Sequence, residues 1–283
     1  MAEKKVFRRY FVSVLVFLVM LILAYAFYQQ TSDVTMSLLI VFGFFLGLMD
    51  TAIGMGYGTL GTPVLLIFGV SSKIAVPAIL ISQFVGAACG SISHKKYKNV
   101  DVLNIKGRDG KIAFGMVGLG IIGALVGVIA AIKLPSIYVS TYIGLLVTVI
   151  GVVLILKPKS TFSWAKFTVI SIVSGFNKAI SGGGYGPVST GGLLIAGHDT
   201  KKAIGTTVFA VAIINLFSFG VYLLSHSVTT YAVMLALSIG ALLGSILGPR
   251  ITKDVEMKRD TNIMGAAVLI LGILTIITTF VKF

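Results

Sequence analysis

The sequence GFNKAISGGGYGPVSTGG, residues 175–192, decides how this chain folds. It places a lysine, Lys178, together with a run of three glycines and a proline inside a sequence that is otherwise strongly apolar. Neither an unpaired charge nor unpaired backbone is stable in contact with lipid. The interruption therefore predicts a site that is buried in protein at depth in a membrane.

The composition predicts an all-α polytopic membrane protein. Of the 283 residues, 57% are hydrophobic and 11% are charged, whereas about a quarter of the residues in a soluble domain are charged. Several nearly uncharged stretches approach the roughly 20 residues that cross a bilayer as a helix. The net charge of +14 comes from basic loops, and no stretch has the pattern of a nucleic-acid-binding segment. The single cysteine, Cys89, excludes intrachain disulfides and zinc clusters, and we expect neither a metal nor a cofactor.

The N-terminus predicts an uncleaved first transmembrane helix. Basic residues at 4–9 precede an apolar run at about 10–28, which is long for the apolar region of a signal peptide. The Ala-Tyr-Ala at 24–26 resembles a signal-peptidase site, but we expect the helix to be retained. Residues 1–36 then form this helix and its loop, with the N-terminus in the cytoplasm.

An internal repeat organises the remainder of the chain. When the sequence is shifted by 128 positions, GLMDTAIGMGYGTLGTPVLLIFGVSSKIA at 47–75 aligns without a gap on GFNKAISGGGYGPVSTGGLLIAGHDTKKA at 175–203. Twelve of the 29 positions are identical, including the Gly-Tyr-Gly at 56–58 and 184–186. The chain therefore divides into transmembrane repeats at 37–156 and 163–283.

Each repeat has the same predicted order of elements: an apolar stretch, a glycine break, a short apolar piece and three full helices. The breaks are 54–58 and 182–186, and a basic loop is predicted from His94 to Lys111. The short pieces have about ten residues and reach only about 15 Å as helix. Each short piece and the stretch before it therefore form a re-entrant hairpin, or alternatively two tight crossings. The predicted helices are 37–53, 60–68, 74–93, 112–131, 136–156, 167–181, 187–196, 203–224, 231–248 and 262–281.

The distribution of basic residues predicts that the second repeat is inverted relative to the first. Three full crossings in each repeat give odd parity. With a cytoplasmic N-terminus, 19 of the 23 lysines and arginines fall in cytoplasmic segments and three fall outside. This split follows the positive-inside rule. The remaining basic residue is Lys178, inside the membrane.

The two breaks predict a pair of anion-binding cradles that face each other near the midplane. A helix N-terminus offers free N–H groups and a partial positive charge, and glycine lets a ligand approach the backbone closely. Inverted repeats that carry broken helices at matching positions are typical of transporters. Packing is the alternative role for glycine, and we assign it to the scattered glycines 123, 127, 240 and 244.

Two charged residues stand at equivalent positions in the repeats, because Asp50 shifted by 128 is Lys178. Each lies one helical turn before its break. We expect Lys178 to attract an anionic substrate, and Asp50 to be its counter-ion or a proton carrier. The alternative is a structural ion pair that holds the hairpins together. The candidate substrate-binding residues are Gly54, Gly56, Tyr57, Gly58, Asn177, Lys178, Ser181, Gly182, Gly183, Gly184 and Tyr185.

Further polar residues are weaker candidates. Ser189 and Thr190 could donate hydrogen bonds to substrate oxygens, although such hydroxyls usually bond their own helix backbone. The amides of Gln83 and Asn215 either line a path or tie helices together. The predicted helices contain no histidine suited to proton transfer, since His198 and His226 fall in loops.

These motifs resemble the sulfite exporter TauE/SafE family, also called the toluene-sulfonate uptake permease family. The resemblance rests on GMGYGTLGTPVLLIFGVSSKIA and SGGGYGPVSTGGLLIAGHDTKKAIGTT, each a glycine-rich break followed by a Leu-Leu-Ile run and a basic segment. It covers the chain from about residue 37. Met55 and Tyr57 depart from the denser glycine run of the family in the first motif. The resemblance implies secondary transport of small organic or sulfur-containing anions.

We therefore expect a transporter in the cytoplasmic membrane that works by alternating access around a midplane anion site, with proton coupling left open. A passive anion channel is the alternative, and coupled proton movement would distinguish the two. An intramembrane enzyme is disfavoured because no nucleophile–base or metal-ligand arrangement is present. The expected partners are a small anionic substrate and the lipid bilayer, and faces of small residues are compatible with a homodimer.

Overall fold

A computed structural model of the chain describes residues 34–156, 163–195, 198–225, 228, 230–254 and 261–281. The predicted first helix at 10–28 lies outside these residues. The described part is mostly helical, with its longest non-helical segment at 97–107, and contains no strand. Its helices are α1 (Val34–Ile53), α2 (Tyr57–Ile67), α3 (Ser72–Lys96), α4 (Arg108–Lys133), α5 (Ser136–Leu156), α6 (Trp164–Ser181), α7 (Tyr185–Ile195), α8 (Thr200–Leu224), α9 (Tyr231–Asp254) and α10 (Thr261–Val281).

All ten helices predicted within the described residues are present. Six of them (α1, α3, α4, α5, α8 and α9) are long and apolar enough to cross a membrane, so the chain is a multi-pass membrane protein. Several predicted boundaries were wrong by a few residues. The one that matters for the site is the end of α3, which continues to Lys96 and takes His94 out of the predicted loop. Apolar periodicity cannot extend a helix through His-Lys-Lys, whereas basic residues suit the carbonyl-rich C-terminal turn.

The helices pack reciprocally between the two halves of the chain. Helix α1 lies along α9, and α6, its equivalent in the second repeat, lies along α4. The equivalent helices α3 and α8 pack against each other, and so do α5 and α10. Each half therefore needs the other to bury its helices, and the two breaks are drawn to the same place.

Glycines make these crossings close. A Cβ built on Gly240 would lie 2.0 Å from the carbonyl oxygen of Ile40, and one on Gly123 would lie 1.9 Å from that of Ile172. Gly244 and Gly127 approach a backbone carbonyl in the same way. The predicted packing role of these scattered glycines is confirmed.

Helices α2 and α7, which follow the breaks, have 11 residues each. At 1.5 Å per residue such a helix is about 16 Å long, roughly half the thickness of the hydrocarbon core. This length agrees with the short pieces predicted from the sequence. The re-entrant course of the two hairpins stays a prediction.

Candidate functional site

The two helix breaks have the same backbone geometry. Helix α1 ends at Ile53 and α2 begins at Tyr57, while α6 ends at Ser181 and α7 begins at Tyr185. In the first break Gly54 and Gly56 have φ of 76° and 119°; in the second, the equivalent Gly182 and Gly184 have φ of 70° and 80°. These positive values favour glycine and account for the spacing of the motif. Each break is three residues long, so α2 begins three residues earlier than predicted and α7 begins two residues earlier.

The breaks lie directly against each other. A Cβ built on Gly58 would fall 1.6 Å from the carbonyl oxygen of Gly182, and one on Gly186 would fall 2.6 Å from that of Gly54. Thr190 donates a hydrogen bond of 2.7 Å to the Gly54 oxygen and ties α7 to the first break. The structure thus brings together the two glycine motifs that lie 128 residues apart in the sequence.

A chain of hydrogen bonds joins the two charged residues through Gln83 of α3. The Gln83 Nε2 group donates to Asp50 Oδ2 at 2.8 Å, and Lys178 Nζ donates to Gln83 Oε1. All three side chains are buried, and Lys178 is only 1% exposed. The opposite charges fix the orientation of the amide, because its N–H must face the carboxylate and its oxygen must face the ammonium. Gln83, one of two weak candidates from the sequence, is thus the connection between the repeats.

The ammonium of Lys178 also donates to the carbonyl oxygen of Gly182, inside the second break. An ammonium has three N–H donors. In the described part of the chain two of them are used, by Gln83 and Gly182, and the third has no acceptor there.

The first break already contains an acidic side chain of the protein itself. The carboxylate of Asp50 accepts a hydrogen bond of 3.4 Å from the backbone N–H of Tyr57, at the start of α2. A carboxylate at a helix N-terminus is favoured by the helix dipole. The cradle predicted at Gly54, Gly56 and Gly58 is therefore filled by the protein's own side chain, and the two breaks are not electrostatically equivalent.

Several other predicted site residues are bonded within the protein. Asn177 accepts a hydrogen bond from the hydroxyl of Tyr142 on α5. The Ser181 hydroxyl accepts from the N–H of Gly183 at 3.0 Å and so holds the second break. The Tyr57 hydroxyl donates to Leu237 on α9 at 3.5 Å. These hydrogen bonds indicate that the three residues stabilise the breaks and the helices beside them.

Other buried polar groups around the second break have no partner among the described residues. The Tyr185 hydroxyl is one of them, in contrast to that of Tyr57. Thr62 is another, although the equivalent Thr190 is bonded. The Thr62 hydroxyl lies beside the second break, since a Cβ built on Gly182 would be 2.8 Å from its oxygen. Asn215 on α8 also lacks a partner for either amide atom.

A matched pair of side chains caps the helix ends at the breaks. His94 Nε2 bonds the carbonyl oxygen of Thr51 at 2.9 Å, and the Tyr222 hydroxyl bonds that of Ala179 at 3.1 Å. These residues are equivalent under the same shift of 128. The placement of His94 in the basic loop was wrong, since this residue is fully buried in α3. Asn99 Nδ2 lies 3.0 Å from its Nδ1 and supplies an N–H to it, so Nε2 carries the proton and donates.

The second histidine within the described residues, His198, lies between α7 and α8 as predicted. Partial burial and then the neighbouring Arg108 lower the pKa of its imidazole, which Lys202 also lowers and Asp109 partly restores. The imidazole is therefore neutral near pH 7 and far from the break.

Comparison with known sequences agrees with this geometry. The profile described as Sulfite exporter TauE/SafE matches residues 39–275, a range that includes both breaks and all three members of the hydrogen-bond chain. The chain belongs to the TauE/SafE family. It is also similar to the protein named "Probable membrane transporter protein YtnM" of Bacillus subtilis (strain 168), with 30% identity over 197 residues.

That alignment covers 63% of this chain and 63% of YtnM, so it spans less than two thirds of the relative's length. No solved structure matches the chain. Membership of the TauE/SafE family places the chain among transport proteins rather than enzymes. The family resemblance stated from the two glycine motifs is confirmed.

Proposed function

We propose that this TauE/SafE member carries small organic or sulfur-containing anions, of the sulfite and sulfonate class, across the cytoplasmic membrane by alternating access. The observation that carries the proposal is the buried chain from Asp50 through Gln83 to Lys178, at the contact between two helix breaks. Buried ionisable groups in membrane proteins mark substrate and proton pathways. The family description and the name of the Bacillus relative support the same class of function.

The substrate site is the second break, beside Lys178. The ammonium has one donor left, and Thr62 and Tyr185 nearby present unpaired hydroxyls. The first break repels a second anion, because the Asp50 carboxylate already occupies the N-terminus of α2. The substrate therefore binds asymmetrically between two repeats of similar backbone.

Charge balance supplies a reason for proton coupling. The buried set of Asp50, Gln83 and Lys178 is neutral overall when both end groups are ionised. A bound monovalent anion gives this set a net charge of −1, which is costly in a low-dielectric interior. Uptake of one proton by Asp50 restores neutrality. We therefore expect one proton to move with each monovalent anion.

The reciprocal packing of the helices supports an inverted repeat, in which the hairpins rock against each other. We propose that the N-terminus and the predicted basic loops lie in the cytoplasm. Alternate labelling of cysteines placed in these loops, in intact and in permeabilised cells, tests this orientation. A homodimer stays a proposal, to be tested by mass measurement of the purified protein in detergent.

The function is tested by flux into proteoliposomes, with radiolabelled sulfite and methanesulfonate as the two probes. We expect Lys178→Met to lower the flux of both probes at least about a hundredfold, because it leaves the Asp50 carboxylate buried without a counter-charge. The exposed Lys73 is the matched control, and we expect Lys73→Met to retain the flux. Undiminished flux in Lys178→Met would remove this lysine from the mechanism.

Proton coupling is tested in the same vesicles. We expect an imposed pH gradient to drive methanesulfonate uptake in the wild type but not in Asp50→Asn, which cannot exchange a proton. A wild type that passes the anion without any response to the pH gradient would support the passive channel instead.

A further inference from the structure

Several buried hydroxyls on the second hairpin and on α8 lack a helix-backbone partner among the described residues. Serine and threonine in membrane helices usually donate to the carbonyl one turn back, and many here do so; the bonded examples are Thr51, Ser82, Ser91, Thr148 and Ser218. By contrast, the buried Ser174 and Thr207 make no hydrogen bond within the described residues. The buried Ser189 hydroxyl bonds no backbone carbonyl there and has only the Tyr185 hydroxyl beside it.

Two of these hydroxyls lie on the helix faces that carry Lys178 and Tyr185. Ser174 precedes Lys178 by four residues on α6, and Ser189 follows Tyr185 by four residues on α7. Residues four apart on a helix are neighbours on one face, with Cβ atoms about 5–6 Å apart. The third hydroxyl, Thr207, is on α8, which packs against α7.

The first repeat has no hydroxyl at the three equivalent positions. The residues equivalent to Ser174, Ser189 and Thr207 are Leu46, Gly61 and Ile79. A Cβ built on Gly61 would lie 2.7 Å from Ile79 Cδ1 and 2.9 Å from Leu46 Cδ1. The first hairpin thus fills this place with two packed aliphatic side chains, whereas the second surrounds it with hydroxyls.

Buried hydroxyls without partners are costly, so their presence at these three positions of the second repeat, where the first repeat has none, indicates an absent hydrogen-bonding partner. The face of α7 that carries Tyr185 and Ser189 continues to the half-buried Gly192, where an added Cβ would meet nothing within 4 Å among the described residues. In the first repeat a valine, Val64, stands at that position.

We propose that Ser174, Tyr185, Ser189 and Thr207 form a second subsite, which binds an uncharged hydrogen-bonding group on the anion about one helical turn from Lys178. This subsite rests on the proposed function, because the acid group of the anion is placed at Lys178. Hydroxyl side chains both donate and accept, so they suit a hydroxyl or amide group on a chain of two to four carbons. Anions with such a group are selected over alkyl anions of the same length.

The test measures binding of two matched pairs of anions to the purified full chain by calorimetry. The pairs are propanoate with 3-hydroxypropanoate, and ethanesulfonate with 2-hydroxyethanesulfonate. In at least one pair we expect the hydroxylated anion to bind about tenfold more tightly, the effect of one well-formed buried hydrogen bond. A wild-type ratio of about one in both pairs, or no binding of any of the four, overturns the subsite, since hydroxyls satisfied by water need nothing from the ligand.

The matched variant transplants the first repeat's residues as Ser174→Leu, Ser189→Gly and Thr207→Ile together, a set that already packs in this protein. We expect it to lower the ratio to about one. Thr207→Val keeps the side-chain shape if the triple variant fails to fold, and we expect it to reduce the ratio about threefold. Ser218→Ala removes a hydroxyl that bonds its own helix and should leave the ratio unchanged.

An unchanged ratio in both the triple variant and Thr207→Val overturns the subsite. The proposed function fails differently, through undiminished binding and flux of all probes in Lys178→Met. A protein that loses all binding with Lys178→Met but shows equal affinity within each pair retains the anion site and loses only the subsite.

Discussion

The two helix breaks share a backbone but differ in how their polar groups are satisfied. At the first break Asp50 bonds the N–H of Tyr57, and Thr190 bonds the carbonyl oxygen of Gly54. At the second break the equivalent Thr62 has no partner within the described residues, and Lys178 retains a free donor. The two breaks thus have similar backbones but different polar partners, and in the proposed function only the second binds the substrate.

The first test of this comparison concerns the contact between the two breaks. We expect Gly58→Ala to be the most damaging of the changes considered below, because its Cβ would fall 1.6 Å from the Gly182 carbonyl oxygen. Overpacking usually costs about 1–3 kcal/mol, but this clash is with backbone, which cannot rotate away, so the hairpins are forced apart and the cost exceeds that of the changes that follow. The measurement is the melting temperature in detergent together with sulfite flux.

Gly191→Ala on α7 is the matched control, since an added Cβ there meets nothing within 4 Å. We expect it to leave both the melting temperature and the flux close to those of the wild type. A Gly58→Ala protein as stable and active as Gly191→Ala would show that the breaks do not pack as described.

The second test concerns Gln83, which bridges Asp50 and Lys178 between the two breaks. Gln83→Leu leaves Asp50 without its amide donor and Lys178 without its amide acceptor. Disrupting a buried charged network in this way costs about 3–5 kcal/mol, so we expect sulfite flux to fall more than tenfold. The control is Ser82→Ala on the same helix, whose hydroxyl bonds its own backbone at 2.7 Å. Equal flux in the two variants would mean that the bridge has no part in transport.

The threonine pair sharpens the comparison because the two residues are equivalent in sequence. We expect Thr190→Val to destabilise the protein by about 1 kcal/mol, the usual effect of losing one hydrogen bond, measured by thermal unfolding. Thr62→Val removes an unpaired hydroxyl, so we expect it to leave stability unchanged or raised. If it changes sulfite transport, the change should appear in KM. The opposite order of stabilities would contradict the assignment of a closed first break and an open second one.

The capping pair should give the smallest effect. Tyr222→Phe removes the hydrogen bond to the Ala179 oxygen and keeps the ring in place. We expect a loss of about 1 kcal/mol in the free energy of unfolding, with transport largely retained. Tyr138→Phe, which alters an exposed tyrosine on α5, is the control and should show no loss. A Tyr222→Phe protein as stable as the control would show that the Tyr222 cap does not stabilise the end of α6.

Much of the fold followed from periodicity and from the repeat. Apolar stretches fixed the ten described helices, and the glycine motifs located both breaks to within two residues. The shift of 128 also paired Asp50 with Lys178, which the structure then joins through Gln83. These features depend on local sequence or on the internal repeat, and both can be read from a single sequence.

The remainder depended on contacts between distant segments. Nothing local marks Gln83 as a bridge, since an amide in an apolar helix has many uses. The asymmetry of the breaks was equally hidden, because it depends on which hydroxyls find partners. His94 was assigned to a loop, yet its equivalence to Tyr222 under the repeat shift was a signal that could have placed both as caps.

The most direct test of the central claim is the position of a bound anion. Crystals of the purified protein grown with selenate allow the selenium to be located by anomalous diffraction. We expect one strong selenium peak at the second break, close enough to Lys178 for a selenate oxygen to accept a hydrogen bond from its Nζ, and none beside the N–H of Tyr57, where the Asp50 carboxylate lies. A peak at the first break, or peaks found only far from both breaks, would contradict the account.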